Sequence, residues 1–267
     1  MTSLLVTNRS LQDRRTSLRW WAVGLVVYSA FVLAVWPVID GNQEFADLAE
    51  SYPDGIKALM GGEDAFDALT TPGGFLNSYL FSMILPFIFV ALAVSMGSAL
   101  LAGEEENGLL DLLLSYPVTR TAAVLEKALA IVVALVAMGL VEVIVIVGVG
   151  RAFGLEVGFV NLAAATVGTV LFGVFHGFLA LAAGAARGVK AFAMGLAWGV
   201  ALVGYLLNVL SNLDPSLEWL RWGSPLYYAT AGDPVVNGAP VEYVVIVGAG
   251  VAALVAAVAL FRRHDVS

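Results

Sequence analysis

Along this chain long apolar runs alternate with short polar stretches, and six of the runs are long enough to cross a bilayer as helices. They cover Trp20 to Ile39, Leu76 to Leu101, Ala122 to Gly150, Phe159 to Gly184, Val189 to Leu210 and Tyr243 to Phe261. About 20 mostly apolar residues are needed for each, because a helix in lipid has to satisfy its backbone polar groups within its own segment. The first run leads into VWPVID, which lacks the small residues of a signal-peptide cleavage site, and is read as an uncleaved span. Before it, Leu4, Leu5, Leu11, Leu18 and Trp21 alternate with polar and basic residues. Residues 1–19 therefore predict an amphipathic helix on the membrane surface, with a basic tail that only orients the first span as the simpler alternative.

Two further polar stretches carry periodicity. In the loop 40–75, Phe45, Leu48, Ala49 and Tyr52, then Ile56, Leu59 and Met60, recur at helical spacing on either side of Pro53. Residues 211–241 bring Trp219, Trp222, Tyr227 and Tyr228 together with Pro215, Pro225, Pro234 and Pro240. Proline excludes one continuous helix and the aromatic rings suit a membrane interface, so short helices dipping into the outer leaflet are expected.

Composition agrees with the pattern: 60% of the 267 residues are hydrophobic, 13% are charged, and mean hydropathy is +0.90. Those values describe a single all-α integral membrane domain over residues 1–267 and exclude a soluble one. With no cysteine, the chain has no disulfide, thiolate metal site or cysteine nucleophile. Arg9, Arg14, Arg15, Arg19, Arg120, Lys127, Arg187, Lys190, Arg262 and Arg263 fall on one side of the six spans, against Lys57, Arg151 and Arg221 on the other. This asymmetry predicts cytoplasmic termini and a cytoplasmic 102–121 loop. The loop 40–75 is acidic but lacks calcium-loop spacing, so it reads as a solvated outer cap. Nothing points to a nucleic-acid partner.

The stretch AGEEENGLLDLLLSYPVTRTAAVLEKALA, residues 102–130, does not fit a simple connection. On a helical wheel, Glu104, Asn107, Gly108, Asp111 and Ser115 share one side, while Leu109, Leu110, Leu112, Leu113 and Leu114 cover the rest. This segment is too short and acidic to span and is stopped by Pro117, with Thr119 or Thr121 placed to cap the next helix. Surface helices that bind lipid usually present Lys and Arg, whereas this one presents Glu104, Glu105, Glu106 and Asp111. A protein partner with basic residues is the better match.

GEEENGLLDLLLSYPVTRTAAVLEKALA resembles the cytoplasmic signature of the ABC type-2 permease family: an acidic pair (Glu105, Glu106), Gly108, a Leu-rich turn (Leu109 to Leu114), a corner from Ser115 to Arg120, and Lys127. Similarity extends through SYPDGIKALMG and TPGGFLNSYLFSMILPFIFVALAVSMGSALLAGEE upstream, and through SPLYYATAGDPVVNG and FRRHDVS downstream. Leu109 stands where the family often has Thr, and Glu126 where a small residue is common. The resemblance implies six spans, a cytoplasmic coupling helix within 102–121, and re-entrant outer helices before the last span. It also implies two partner ATPases that hold ATP and Mg, a second permease subunit, by expectation an identical copy, and export across the plasma membrane of a prokaryote. Glu104, Glu105, Glu106, Gly108, Leu109, Asp111, Leu112, Ser115, Pro117 and Arg120 are then the expected ATPase-coupling residues.

No Gly-x-x-x-x-Gly-Lys-Ser/Thr loop occurs, so ATP is expected on a separate chain and no cofactor or metal on this one. Within the spans, Glu142 and His176 are the candidate path-lining residues. The alternatives are a hydrogen-bonded carboxyl near the outer interface and a packing histidine bonded across helices. Gly173 with Gly177, and Gly195 with Gly199, have the spacing of close helix packing. An ion- or proton-coupled secondary transporter using Glu142 and His176 is the competing function; an intramembrane enzyme finds no catalytic grouping.

Overall fold

The computed structural model describes residues 4–40, 42, 51–53, 55–56, 71–82, 84–110 and 118–263. Among these, every regular element is helical, and six helices are long and apolar enough to cross a membrane. These spans are Arg15–Ile39, Pro72–Glu106, Arg120–Gly150, Phe159–Arg187, Lys190–Leu213 and Tyr243–Arg263. They contain the six apolar runs almost entirely and extend most of them by several residues. Hydropathy marks only the part of a helix at membrane depth, whereas the helix itself continues until a cap or a turn stops it.

The fourth span is the centre of the bundle, packed extensively against the second and sixth and also against the third and fifth. Small residues permit this. A Cβ at Gly97 would lie 2.3 Å from the backbone oxygen of Gly177, so the second and fourth spans cross backbone to backbone. Gly173 and Gly177 face the second and third spans, with Phe89, Leu135, Ala93 and Ile131 against them. By contrast, a Cβ at Gly195 or Gly199 would meet nothing within 4 Å, so this pair on the fifth span packs against no other part of the described chain.

A separate helix, Leu5–Asp13, lies against the start of the third span. Its first turn would leave unpaired N–H groups, and Glu126 supplies the acceptor. The carboxylate Oε2 accepts from the N–H groups of Val6 at 2.8 Å and Thr7 at 3.2 Å, and the Thr7 hydroxyl donates to the Glu126 carbonyl at 2.9 Å. Glu126→Ala is expected to release this helix at a local cost of about 1–2 kcal/mol. Amide exchange at Val6 and Thr7 should speed up while exchange in the fourth span stays unchanged.

On the side opposite the termini, the stretch before the sixth span folds as a 3-10 helix Pro215–Gly223 and two short helices, Pro225–Thr230 and Pro234–Asn237. Each begins with proline at a position that needs no N–H, and Asp214 and Ser224 cap the first two. Asp214 is held below its usual carboxylate range by the N–H of Ser216. Trp219 and Trp222 remain mostly exposed, while Tyr243 donates to the Ala164 carbonyl at 2.8 Å and ties the start of the sixth span to the fourth. Most of the acidic loop, residues 41, 43–50, 54 and 57–70, lies outside the described residues, as do 1–3 and 264–267.

Candidate functional site

The second span does not run to its end as a regular α-helix. After Ser98 it widens into a π turn, Ala99–Gly103, and then adds one further turn, Glu104–Glu106. A π turn disturbs the regular carbonyl pairing of an α-helix. The carbonyl of Leu100 accepts from Lys127 Nζ, and the same ammonium pairs with Glu104. Lys127 is fully buried and Glu104 mostly so, which is tolerable for a charge only when it is paired. The other two carboxylates turn toward the connection between the fourth and fifth spans. Glu106 accepts from the Lys190 N–H at 2.8 Å, at the first turn of the fifth span. Gly188 ends the fourth span with a φ of +63°, and a Cβ there would lie 2.5 Å from a Glu105 carboxylate oxygen. Three consecutive acidic residues thus join the second span to the third, fourth and fifth.

The continuous amphipathic helix expected from Glu104 to Ser115 is corrected at Gly108. Asn107 Nδ2 donates to the Gly103 carbonyl, Gly108 adopts a φ of +68°, and the helix stops there. Glu104 faces the interior, where it pairs with Lys127. Leu109 is 52% exposed and Leu110 is fully buried, so the segment beyond the turn starts with one side chain out and the next inward. Asp111, Leu112, Ser115 and Pro117 lie outside the described residues. Beyond them Thr119, one of the two candidate caps, accepts from the Ala122 N–H at 3.1 Å. Arg120 donates to the Phe261 carbonyl at 3.2 Å and stands over the Phe261 ring, anchoring the last turn of the sixth span.

Glu142 and His176 are both fully buried but are not brought together by any hydrogen bond among the described residues. Ser29 of the first span donates to Glu142 Oε2 at 2.9 Å; Oε1 has no partner among the described residues. His176 Nδ1 pairs with the Phe172 carbonyl at 2.8 Å, and the ring stands edge-on to Phe172 and Phe175. The bond across helices expected for His176 is thus replaced by one within its own helix, because the carbonyl four residues earlier is within reach and aromatic rings occupy its flanks.

Lys127, Gly188 and Lys190 were not among the expected coupling residues, yet they meet the three carboxylates of the junction, while Glu126 holds the N-terminal helix. A sequence signal existed for Lys127, which belongs to the motif at 102–130 and forms with Glu126 a charged pair at the start of an apolar span. No curated protein matches the chain. The family model for "ABC-2 family transporter protein" matches residues 4–266, from the surface helix through the acidic junction and beyond the sixth span, and the chain belongs to that family of membrane permeases.

Proposed function

We propose that this permease is one half of an ATP-driven exporter, in which two identical copies associate with two cytoplasmic ATPases and the 102–121 segment receives their motion. Both termini then lie in the cytoplasm of a prokaryotic cell, and ATP and Mg are held by the partner. The observation that supports this reading is the acidic junction: Glu104, Glu105 and Glu106, directly before the turn that leads to the exposed Leu109, meet elements of the third, fourth and fifth spans. A push on that segment reaches the bundle through short polar contacts rather than through lipid.

The test is affinity purification of the tagged protein from native membranes in mild detergent, with identification of co-purifying chains and an ATPase assay. A stoichiometric partner with a Walker A loop is expected, and Asp111→Lys or Leu109→Arg should reduce its recovery at least several-fold without reducing membrane insertion. Full recovery of the complex with both variants would remove the 102–121 segment from the contact. A protein purifying alone, with transport driven by an ion gradient, would favour the secondary-transporter reading. On the exporter reading Glu142 serves packing. Glu142→Gln keeps an acceptor for Ser29, so export and assembly should both stay within about twofold of the parent, in line with a small change at a hydrogen-bonded site.

A further inference from the structure

Beneath the N-terminal helix is a pocket of about 680 Å³ whose mixed lining carries more basic than acidic residues. Arg9, Arg14, Lys127 and Lys190 contribute to it against Asp13 and Glu104. Internal pairing consumes part of this charge: Lys127 is bound to Glu104, and Arg9 lies 3.7 Å from Asp13. Arg14 and Lys190 form no ion pair among the described residues, so the net excess rests on them. Burial draws the Arg14 guanidinium down from its ordinary value, with Glu104 and Asp13 acting in the opposite direction; it remains a cation.

Ser17 also lines a second, apolar cavity of about 510 Å³, together with Trp20, Trp21, Gly24, Leu25 and Ile88. Gly24 leaves its groove open, since a Cβ there would meet nothing within 4 Å. From Ser17 to Leu25 the first span rises about 12 Å, comparable with the hydrocarbon depth of one leaflet at about 15 Å. Basic groups at the membrane face, tryptophan at the interface and an apolar channel of leaflet depth follow one another in the order of the parts of a phospholipid.

We propose that the pocket and groove together hold one anionic phospholipid of the adjoining leaflet, its phosphate on Arg14 and Lys190 and one acyl chain beside Trp21, Gly24, Leu25 and Ile88. That leaflet is the cytoplasmic one if the proposed topology holds, but binding itself does not depend on that topology or on ATPase coupling. The lipid would fill the space between the surface helix and the first two spans, so it would brace the helix that Glu126 holds from the other side.

The delipidated full-length protein in detergent, titrated with phosphatidylglycerol or phosphatidylcholine and followed by native mass spectrometry, tests the head group. Preference for phosphatidylglycerol should be about tenfold or more, fall at least fivefold in Arg14→Gln/Lys190→Gln, and persist in Arg262→Gln, as expected for two basic contacts at the surface. Phosphatidylglycerol with brominated acyl chains tests the tail. It should quench tryptophan fluorescence in the parent more than in Gly24→Leu, whose side chain fills the groove without changing charge and suits a helix. Equal preference in the parent and the double variant, or equal quenching in Gly24→Leu, would overturn the proposal. If the double variant loses a co-purifying ATPase while lipid preference is unchanged, the pocket seats a protein chain and the lipid assignment fails.

Discussion

Lys127→Met is expected to lower stability by about 3–5 kcal/mol, because it leaves Glu104 without its cation at a largely buried site. Loss of the bond to the Leu100 carbonyl adds to the effect. Unfolding of the purified protein in one detergent, followed by denaturant titration, measures it. The informative partner is Lys127→Met/Glu104→Gln, which removes both charges and should recover most of the loss, since an apolar or neutral replacement of a buried pair is often nearly neutral. A double-mutant cycle with Glu104→Gln then gives the coupling of the pair, expected at about 2 kcal/mol or more, because the part of the Lys127→Met loss that the double variant recovers sets its lower bound. If Lys127→Met costs less than about 1 kcal/mol, the pair behaves as a solvated surface contact, and it cannot hold the second and third spans together as described. The same variants separate stability from coupling: the double variant should fold well yet transmit poorly between ATPase and spans if the charged link, rather than packing alone, carries the motion.

Gly97→Ala is expected to cost about 1–3 kcal/mol by overpacking, and Gly97→Val more. The obstacle is a backbone oxygen, that of Gly177, 2.3 Å from where the new carbon would sit, so no side-chain rotation relieves it. The second and fourth spans would have to separate, and with them the contacts of the bundle's central helix. Gly195→Ala provides the contrast, because the added carbon meets nothing within the described chain and alanine favours helix by about 1 kcal/mol. Equal thermal unfolding of Gly97→Ala and the parent protein would show that the crossing can open at little cost. If Gly195→Ala leaves unfolding unchanged but shifts the dimer population, the fifth span lies at the interface between copies.

The set of six spans and the place of the acidic segment were legible in the amino-acid sequence alone. Both depend on local quantities: the length and hydropathy of a run, and the residue types between runs. The proline-rich stretch before the last span was legible for the same reason, since a proline restricts its own backbone and that of its immediate neighbours. Partnership was not legible. Glu104, Glu105 and Glu106 look alike in sequence, yet one pairs with Lys127, one lies against Gly188 and one caps the fifth span. Gly108 looked like one more position on a helical wheel, but its left-handed backbone turned the chain before Leu109. Glu126 meets the surface helix across a separation of 120 residues, and Gly97 meets Gly177 across another long interval. Such choices depend on the rotation and depth at which two helices meet, which all the contacts of the bundle set together and no single stretch of the chain contains.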